Sequence, residues 1–406
     1  MIQRANESRV YNHIIYVLFS IMFLLIACTI FSASYVSALF SMTFVILLLS
    51  VLYMLMHDGI KVQDLLVIHA IIMLTIVNAT IGSSDISFSY YRKVIIFIST
   101  IFMLYLSTKI KVSETAINYI YVINICIALL YVLAYFKGVG TQYTIGITFN
   151  FSNPNLTAIF ILHSLLYVTL AFIHYKNKAS RILFSVLFVL LMYFLICTRA
   201  RSCFLAMAFY FILLAINYLT NNKVHLGKGV SFLILILPLL FTIVYMKMVD
   251  SNFINIFSFA ESTGKPLSSR YHIWSMAFKS IYEHPVTGDY YGLSSGTGLF
   301  QMHNTHLDVL SSYGIFVFIL FIAFLYNIMD STRKIARSKS QKASLFAFYA
   351  IIIMGTFEAA LVSGGLGMDI LSSGFLILAR HEEGNSVRTN NFLFQKIDTN
   401  KKICGE

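Results

Sequence analysis

Three groups of side chains in this 406-residue sequence have the types and spacing to do chemistry. The first is His303-Asn304-Thr305-His306, at the start of a long apolar run. A histidine can take a proton from a hydroxyl near neutral pH, so this cluster is a source of a general base, with Asn304 beside it to fix the ring or a sugar. The second is Thr198-Arg199-Ala200-Arg201-Ser202, a short turn between two apolar runs. Two guanidinium groups held together at a membrane surface suit an anion with several negative oxygens, a diphosphate above all, because forked donors match such oxygens. Snorkelling of both arginines to water or lipid head groups is the alternative. The third is Arg270, near the start of a segment from about Ser268 to Glu283 in which Tyr271, Trp274, Phe278 and Ile281 recur at helical steps. That pattern predicts an amphipathic helix lying along the membrane surface and ended by Pro285. A cation in a first turn opposes the helix dipole, so Arg270 together with that helix N-terminus reads as a second anion site.

Other residues are weighed against plainer roles. Two histidines at spacing three suit a metal, but only Asp308 stands nearby to join them, so no metal is assigned. His306 reads equally as a structural histidine at a span start. Asn153 caps a helix in which Pro154 takes the first position, and this accounts for Asn153-Pro154-Asn155 without a sugar contact at Asn155, which stays open. Ionisable groups inside spans are expensive, which singles out His163 and Glu358. Glu358, near the outer end of its span, faces the same cavity as Asp369 or pairs with an outer arginine. Arg92 and Lys93 flank a span on the same side and are candidates for the phosphate site. The cysteines have no CxxC spacing and read as buried thiols, although Cys197 and Cys203 flank the arginine turn and could approach each other.

The elements that must position these groups are membrane spans. The chain is 58% hydrophobic and 11% charged, with a mean hydropathy of +0.80. Soluble domains carry about 25% charged residues, and apolar runs near 20 residues fit a bilayer core of about 30 Å. Twelve spans are predicted, at about 13–31, 36–56, 65–81, 91–107, 115–136, 154–174, 182–198, 202–219, 230–248, 304–328, 343–363 and 366–379. The last is short and carries Asp369. The first, behind Arg4 and Arg9, reads as a retained span rather than a cleaved signal.

Basic residues set the orientation. With the N-terminus inside, the outer side holds nine of the 29 Lys and Arg: Arg92, Lys93, Lys137, Arg199, Arg201, Lys247, Lys265, Arg270 and Lys279. The other 20 fall inside, which predicts two cytoplasmic termini and an outer loop from Asp250 to Asn304. The net charge of +12 is therefore a topological signal and not a sign of nucleic-acid binding. The expected organisation is spans 1–9 over residues 1–248, the loop over 249–303, spans 10–12 over 304–379 and a mobile cytoplasmic tail over 380–406.

The motifs, in their order and membrane placement, resemble the O-antigen polymerase and O-antigen ligase superfamily of bacterial membrane glycosyltransferases. Ser269-Arg270-Tyr271-His272-Ile273-Trp274 is similar to the family's arginine-then-tryptophan segment, and Glu283-His284-Pro285-Val286-Thr287-Gly288 to its His-Pro-x-x-Gly turn. His303-Asn304, nine residues and Gly314 resemble the ligase signature, with Val317 where it wants Gly, Thr or Tyr. Phe149 to Asn155 and Thr198 to Ser202 are similar to the family's Asn-Pro-Asn segment and arginine-bearing turn. The resemblance covers about residues 145–330. It implies an all-α, GT-C-like polytopic bundle with a donor glycan on undecaprenyl diphosphate. Arg199, Arg201 and Arg270 would hold the diphosphate, and His303 would activate the acceptor hydroxyl. The implied setting is the bacterial inner membrane, with membrane lipid and a chain-length-determining co-polymerase as partners and no cofactor, because the leaving group is already good without a metal. Polymerase and ligase share these motifs. The departure at Val317 favours the polymerase, and a lipid-linked oligosaccharide flippase is the rival of another class.

Overall fold

The computed structural model describes residues 2–32, 36–57, 62–81, 88–142, 146–151, 153–222, 226–250, 268–289, 302–358, 361 and 366–381. Much of the predicted outer loop, with Lys265, and the tail beyond residue 381 lie outside the described residues. The described chain is helical apart from a two-stranded antiparallel pair, β1 (Thr141–Gln142) and β2 (Gly146–Ile147).

Each predicted span overlaps a helix, although the eleventh, expected to reach residue 363, ends as a helix at Met354. The helices are α1 (Ile2–Ile30), α2 (Val36–His57), α3 (Val62–Ile81), α4 (Phe88–Lys109), α5 (Glu114–Phe136), α6 (Pro154–His174), α7 (Lys178–Thr198), α8 (Arg201–Leu219) and α9 (Lys228–Asp250). After the loop helix α10 (Ser268–Glu283) come α11 (Thr305–Ile335), α12 (Lys339–Met354) and α13 (Leu366–Arg380). Seven described helices are long and apolar enough to cross a membrane, α1, α5 to α9 and α11 among them. With 15 residues, α13 rises only about 22 Å, short of a bilayer core.

Local chemistry starts and stops these helices. Asn153 accepts the Leu156 N–H at 2.8 Å and Pro154 opens α6, as the sequence predicts. Asn177 caps α7, and Ser338 with Gln341 forms a capping box on α12. Helix α12 is buried all round from Gln341 to Met354, as befits an axis of the bundle. It packs along α8 and α13, while α13 lies against α4 and α11 against α3 and α9.

The molecule has two distinct ends. At one, the start of α5, the end of α13 and the α11–α12 turn meet. There His381 contacts Glu114 at 3.0 Å, and Arg333 and Lys334 both pair with Asp330 at 2.6 Å. At the other end lie the α7–α8 turn, the start of α11 and the end of α12, and here the candidate residues collect.

Helix α10 is less of a surface helix than its pattern predicts. Ile273, Trp274 and Ala277 are buried with Met302 and Leu307, and Trp274 meets Tyr245 of α9 edge-on at 5.5 Å. The apolar face is thus taken up by α9 and α11, leaving Tyr282 exposed.

Candidate functional site

The centre of the site is Glu358, four residues beyond α12. Its carboxylate is 2% exposed and bridges two candidate residues: Oε1 accepts from Arg270 at 2.8 Å, and Oε2 lies 2.9 Å from His303 Nδ1. A carboxylate only accepts, so Nδ1 carries the proton and Nε2 is left as the basic atom. Nε2 has no hydrogen-bond partner among the described residues. His303 is 20% exposed, so the ring is held on one side and open on the other. Arg270 is anchored further by the Phe357 ring, 5.6 Å from its guanidinium carbon, and its other N–H donors have no acceptor among the described residues.

Backbone geometry places His303 here. Its φ of 50° lies in the left-handed region, costing a non-glycine residue about 1–3 kcal/mol, which the neighbours must hold in place. Asn304, the next residue, is fully committed to the fold. Its Oδ1 caps α11 through the Leu307 N–H at 2.9 Å, and its Nδ2 faces Pro238 O, Thr242 Oγ1 and Thr356 O at 3.2, 2.9 and 2.9 Å. It has no amide hydrogen left for a sugar. Thr305 ties the start of α11 to the end of α12: its N–H donates to Gly355 O at 2.8 Å and its hydroxyl to Glu358 O at 3.2 Å.

The arginine turn is shorter than the surrounding helices suggest. Only Arg199 and Ala200 separate α7 from α8, with Arg199 at φ 59° and Ala200 buried. Ala200 pins the turn, and Arg199 and Arg201 project from it exposed, with no partner among the described residues. No side chain caps α8, so its first-turn N–H groups add a positive end beside the two guanidiniums. Gly146 of β2 lies flat against this turn: a Cβ there would meet the Cys197 and Thr198 carbonyls at 3.0 and 3.1 Å. Two residues into α8, Cys203 turns to Met354 of α12 at 3.7 Å and not to Cys197. The arginine turn and the Arg270–Glu358–His303 cluster therefore share one end of the α8–α12 pair.

Other candidates are placed elsewhere. His306 is 1% exposed, inside the helix packing beside Phe318, at 6.0 Å between rings. Asn155 is half-buried and makes no side-chain hydrogen bond among the described residues. Arg92 belongs to α4, and its side chain lies outside what is described. Lys93, read from sequence as a phosphate candidate, is instead 0% exposed and paired with Asp308 at 2.9 Å. Asp369 does not join Glu358: it is buried and accepts from Thr100 at 2.8 Å. His163 lies with α13, its Nε2 3.0 Å from Ser372 Oγ.

Two glycines join the His-Pro-x-x-Gly turn to the helix after the histidine. Gly314, at φ 79° and ψ 176°, breaks α11 after its first nine residues. The freed Ile315 N–H donates to Pro285 O at 2.9 Å, and the Tyr313 carbonyl accepts from Asn78. A Cβ on Gly314 would overlap the Val286 carbonyl, and one on Gly288 would overlap the Ser312–Tyr313 backbone.

The described chain is thus a helical bundle with apolar spans, and a carboxylate-held histidine and two exposed arginines stand at one end of it. Residues 186–322 match the family model Wzy_C, O-antigen ligase. A curated relative, a ComP-specific O-oligosaccharyltransferase from Acinetobacter baylyi, is 24% identical over 233 residues, covering 50% of this chain and 38% of the relative. The chain thus matches about two-fifths of that relative's length. The resemblance to the O-antigen ligase and polymerase superfamily holds. The family match contains Arg199, Arg201, Arg270, His303 and Gly314 and ends before Glu358.

Proposed function

We propose that this protein is a glycan polymerase of a bacterial inner membrane, working at the outer face with both termini inside. It moves a growing glycan from undecaprenyl diphosphate to the non-reducing-end hydroxyl of a second lipid-linked repeat unit. The observation that carries the reading is Glu358. It holds His303 Nδ1 and Arg270 at once, leaving His303 Nε2 without a partner among the described residues.

In this scheme His303 Nε2 takes the proton of the acceptor hydroxyl as its oxygen attacks the anomeric carbon. The bond from that carbon to the diphosphate oxygen breaks, and undecaprenyl diphosphate leaves. Arg199, Arg201 and the uncapped start of α8 bind its charge, with the remaining donors of Arg270 beside the reacting centre. Glu358 stays ionised, fixes the ring tautomer and stabilises the imidazolium that forms, as a carboxylate does behind a catalytic histidine.

The family's description as O-antigen ligase favours a second reading, transfer of the same donor glycan to lipid A-core. The two differ only in acceptor. Purified protein in detergent with lipid-linked repeat units tests both. A polymerase lengthens the lipid-linked glycan, a ligase consumes it only when lipid A-core is added, and a flippase does neither without a sealed vesicle. In a deletion strain, single-repeat surface glycan supports the polymerase, and accumulated lipid-linked polymer supports the ligase.

A further inference from the structure

We propose that the buried Lys93–Asp308 ion pair is a positioning device for His303, acting through the backbone of Met302. The inference rests on the reading of His303 as the base. Lys93 Nζ reaches from α4 to Asp308 Oδ1 and to Ser312 Oγ, at 2.9 Å each, with both charged side chains 0% exposed. The same Asp308 Oδ1 accepts the Met302 N–H at 3.1 Å. The Met302 carbonyl accepts Trp274 Nε1 of α10 at 3.0 Å. Both polar groups of Met302 are thus fixed by side chains, and Asn304 is fixed on the other side by its cap and three acceptors. Residue 303 is clamped between two immobile neighbours, which is how a histidine comes to hold φ 50°.

Stability alone does not account for the charges. Burying an ion pair costs solvation that its attraction often fails to recover, and an apolar pair of similar volume would fill the space as well. An apolar pair would not, however, accept the Met302 N–H. The carboxylate does so, and Lys93 holds it in that orientation. Lys93, Asp308 and Trp274 are accordingly positioning residues, one step removed from the reacting atoms.

Two neutral double variants of the full-length protein isolate the effect. Lys93→Met/Asp308→Asn retains an oxygen for the Met302 N–H, and Lys93→Met/Asp308→Leu does not; both delete the same charges. Each is measured for thermal stability and for kcat and KM with lipid-linked donor. The rate at which diethylpyrocarbonate modifies His303 is read by peptide mass spectrometry. The Leu variant is expected to turn over about 10- to 100-fold more slowly than the Asn variant, because a small misplacement of a reacting group has that effect. Donor KM stays similar and only the Leu variant changes the His303 modification rate. A folded Leu variant with the kcat and modification rate of the Asn variant overturns the proposal. If the Leu variant fails to fold, Trp274→Phe decides, since it removes the hydrogen bond to the Met302 carbonyl and keeps an aromatic ring: unchanged turnover and unchanged His303 modification overturn the proposal. Wild-type turnover in His303→Ala would instead sink the base assignment, while the modification rate still reports whether the pair sets residue 303.

Discussion

Replacing Glu358 by glutamine changes one oxygen for an amide nitrogen, and the geometry says which way the amide turns. Glu358 faces two donors, the Arg270 guanidinium at 2.8 Å and His303 Nδ1–H at 2.9 Å. Glutamine has one oxygen for the two. A hydrogen bond from a charged donor contributes about 1.5–3 kcal/mol and a neutral one about 0.5–1.5 kcal/mol, so the oxygen goes to Arg270. The NH2 group then points at His303 Nδ1, which can accept only if its proton moves to Nε2. The atom meant to take the substrate proton is thereby occupied, without any change in shape or in the positions of the arginines. A general base is worth about 10²- to 10⁴-fold, which is about 2.7–5.4 kcal/mol of barrier. Glu358→Gln is therefore expected to lower kcat by that factor with little effect on donor KM. Because both changes disable one proton acceptor, Glu358→Gln/His303→Ala should be no slower than His303→Ala alone. The assay is rate of glycan lengthening by purified protein at equal folded concentration. A Glu358→Gln enzyme within about threefold of wild type, or losses that multiply in the double variant, would refute the reasoning.

Arg199→Ala and Arg201→Ala should each cut glycan product strongly at normal expression, with lysine rescuing only in part, because a point charge does not replace a fork; full product from both alanine variants means the arginines serve only the surface. His303→Ala should abolish the glycan ladder while donor binding persists. His306→Ala, which truncates a buried side chain, should act mainly on thermal stability; a worse catalytic defect at His306 reverses the assignment. Gly314→Ala places a side chain in a conformation essentially reserved for glycine and against the Val286 carbonyl, so the protein should lose at least about 1–3 kcal/mol of stability, read as a fall in Tm. For topology, cysteine at Ser262 should label from outside and cysteine at Ser338 should not; outside labelling at Ser338 inverts the orientation.

Hydropathy placed the helices because each span is a local property: a run of apolar residues crosses or it does not. The same holds for Asn153 and Pro154 at the start of α6 and for α10 between Ser268 and Glu283. What the sequence concealed is pairing across distance. Glu358 lies 55 residues from His303 and 88 from Arg270, and nothing in its own stretch says which of two outer partners it meets. The available signal was only that an acid in an apolar span must be paired. Glu358 meets both partners because α12, buried on every side, ends where α11 begins. Lys93 misled for a related reason. A lysine at the rim of a span reads as a surface cation by default, and only the 215-residue separation to Asp308, closed by the packing of the bundle, turns it inward. Asn304 shows the converse: adjacent to the candidate base and of a type that binds sugars, it is used up by capping α11 and pinning α9 to α12. Here the neighbour in sequence fixes the backbone around His303 and adds no second reacting group. By that logic the groups that tune His303 are sought on helices distant in sequence, where Glu358, Lys93 and Trp274 stand.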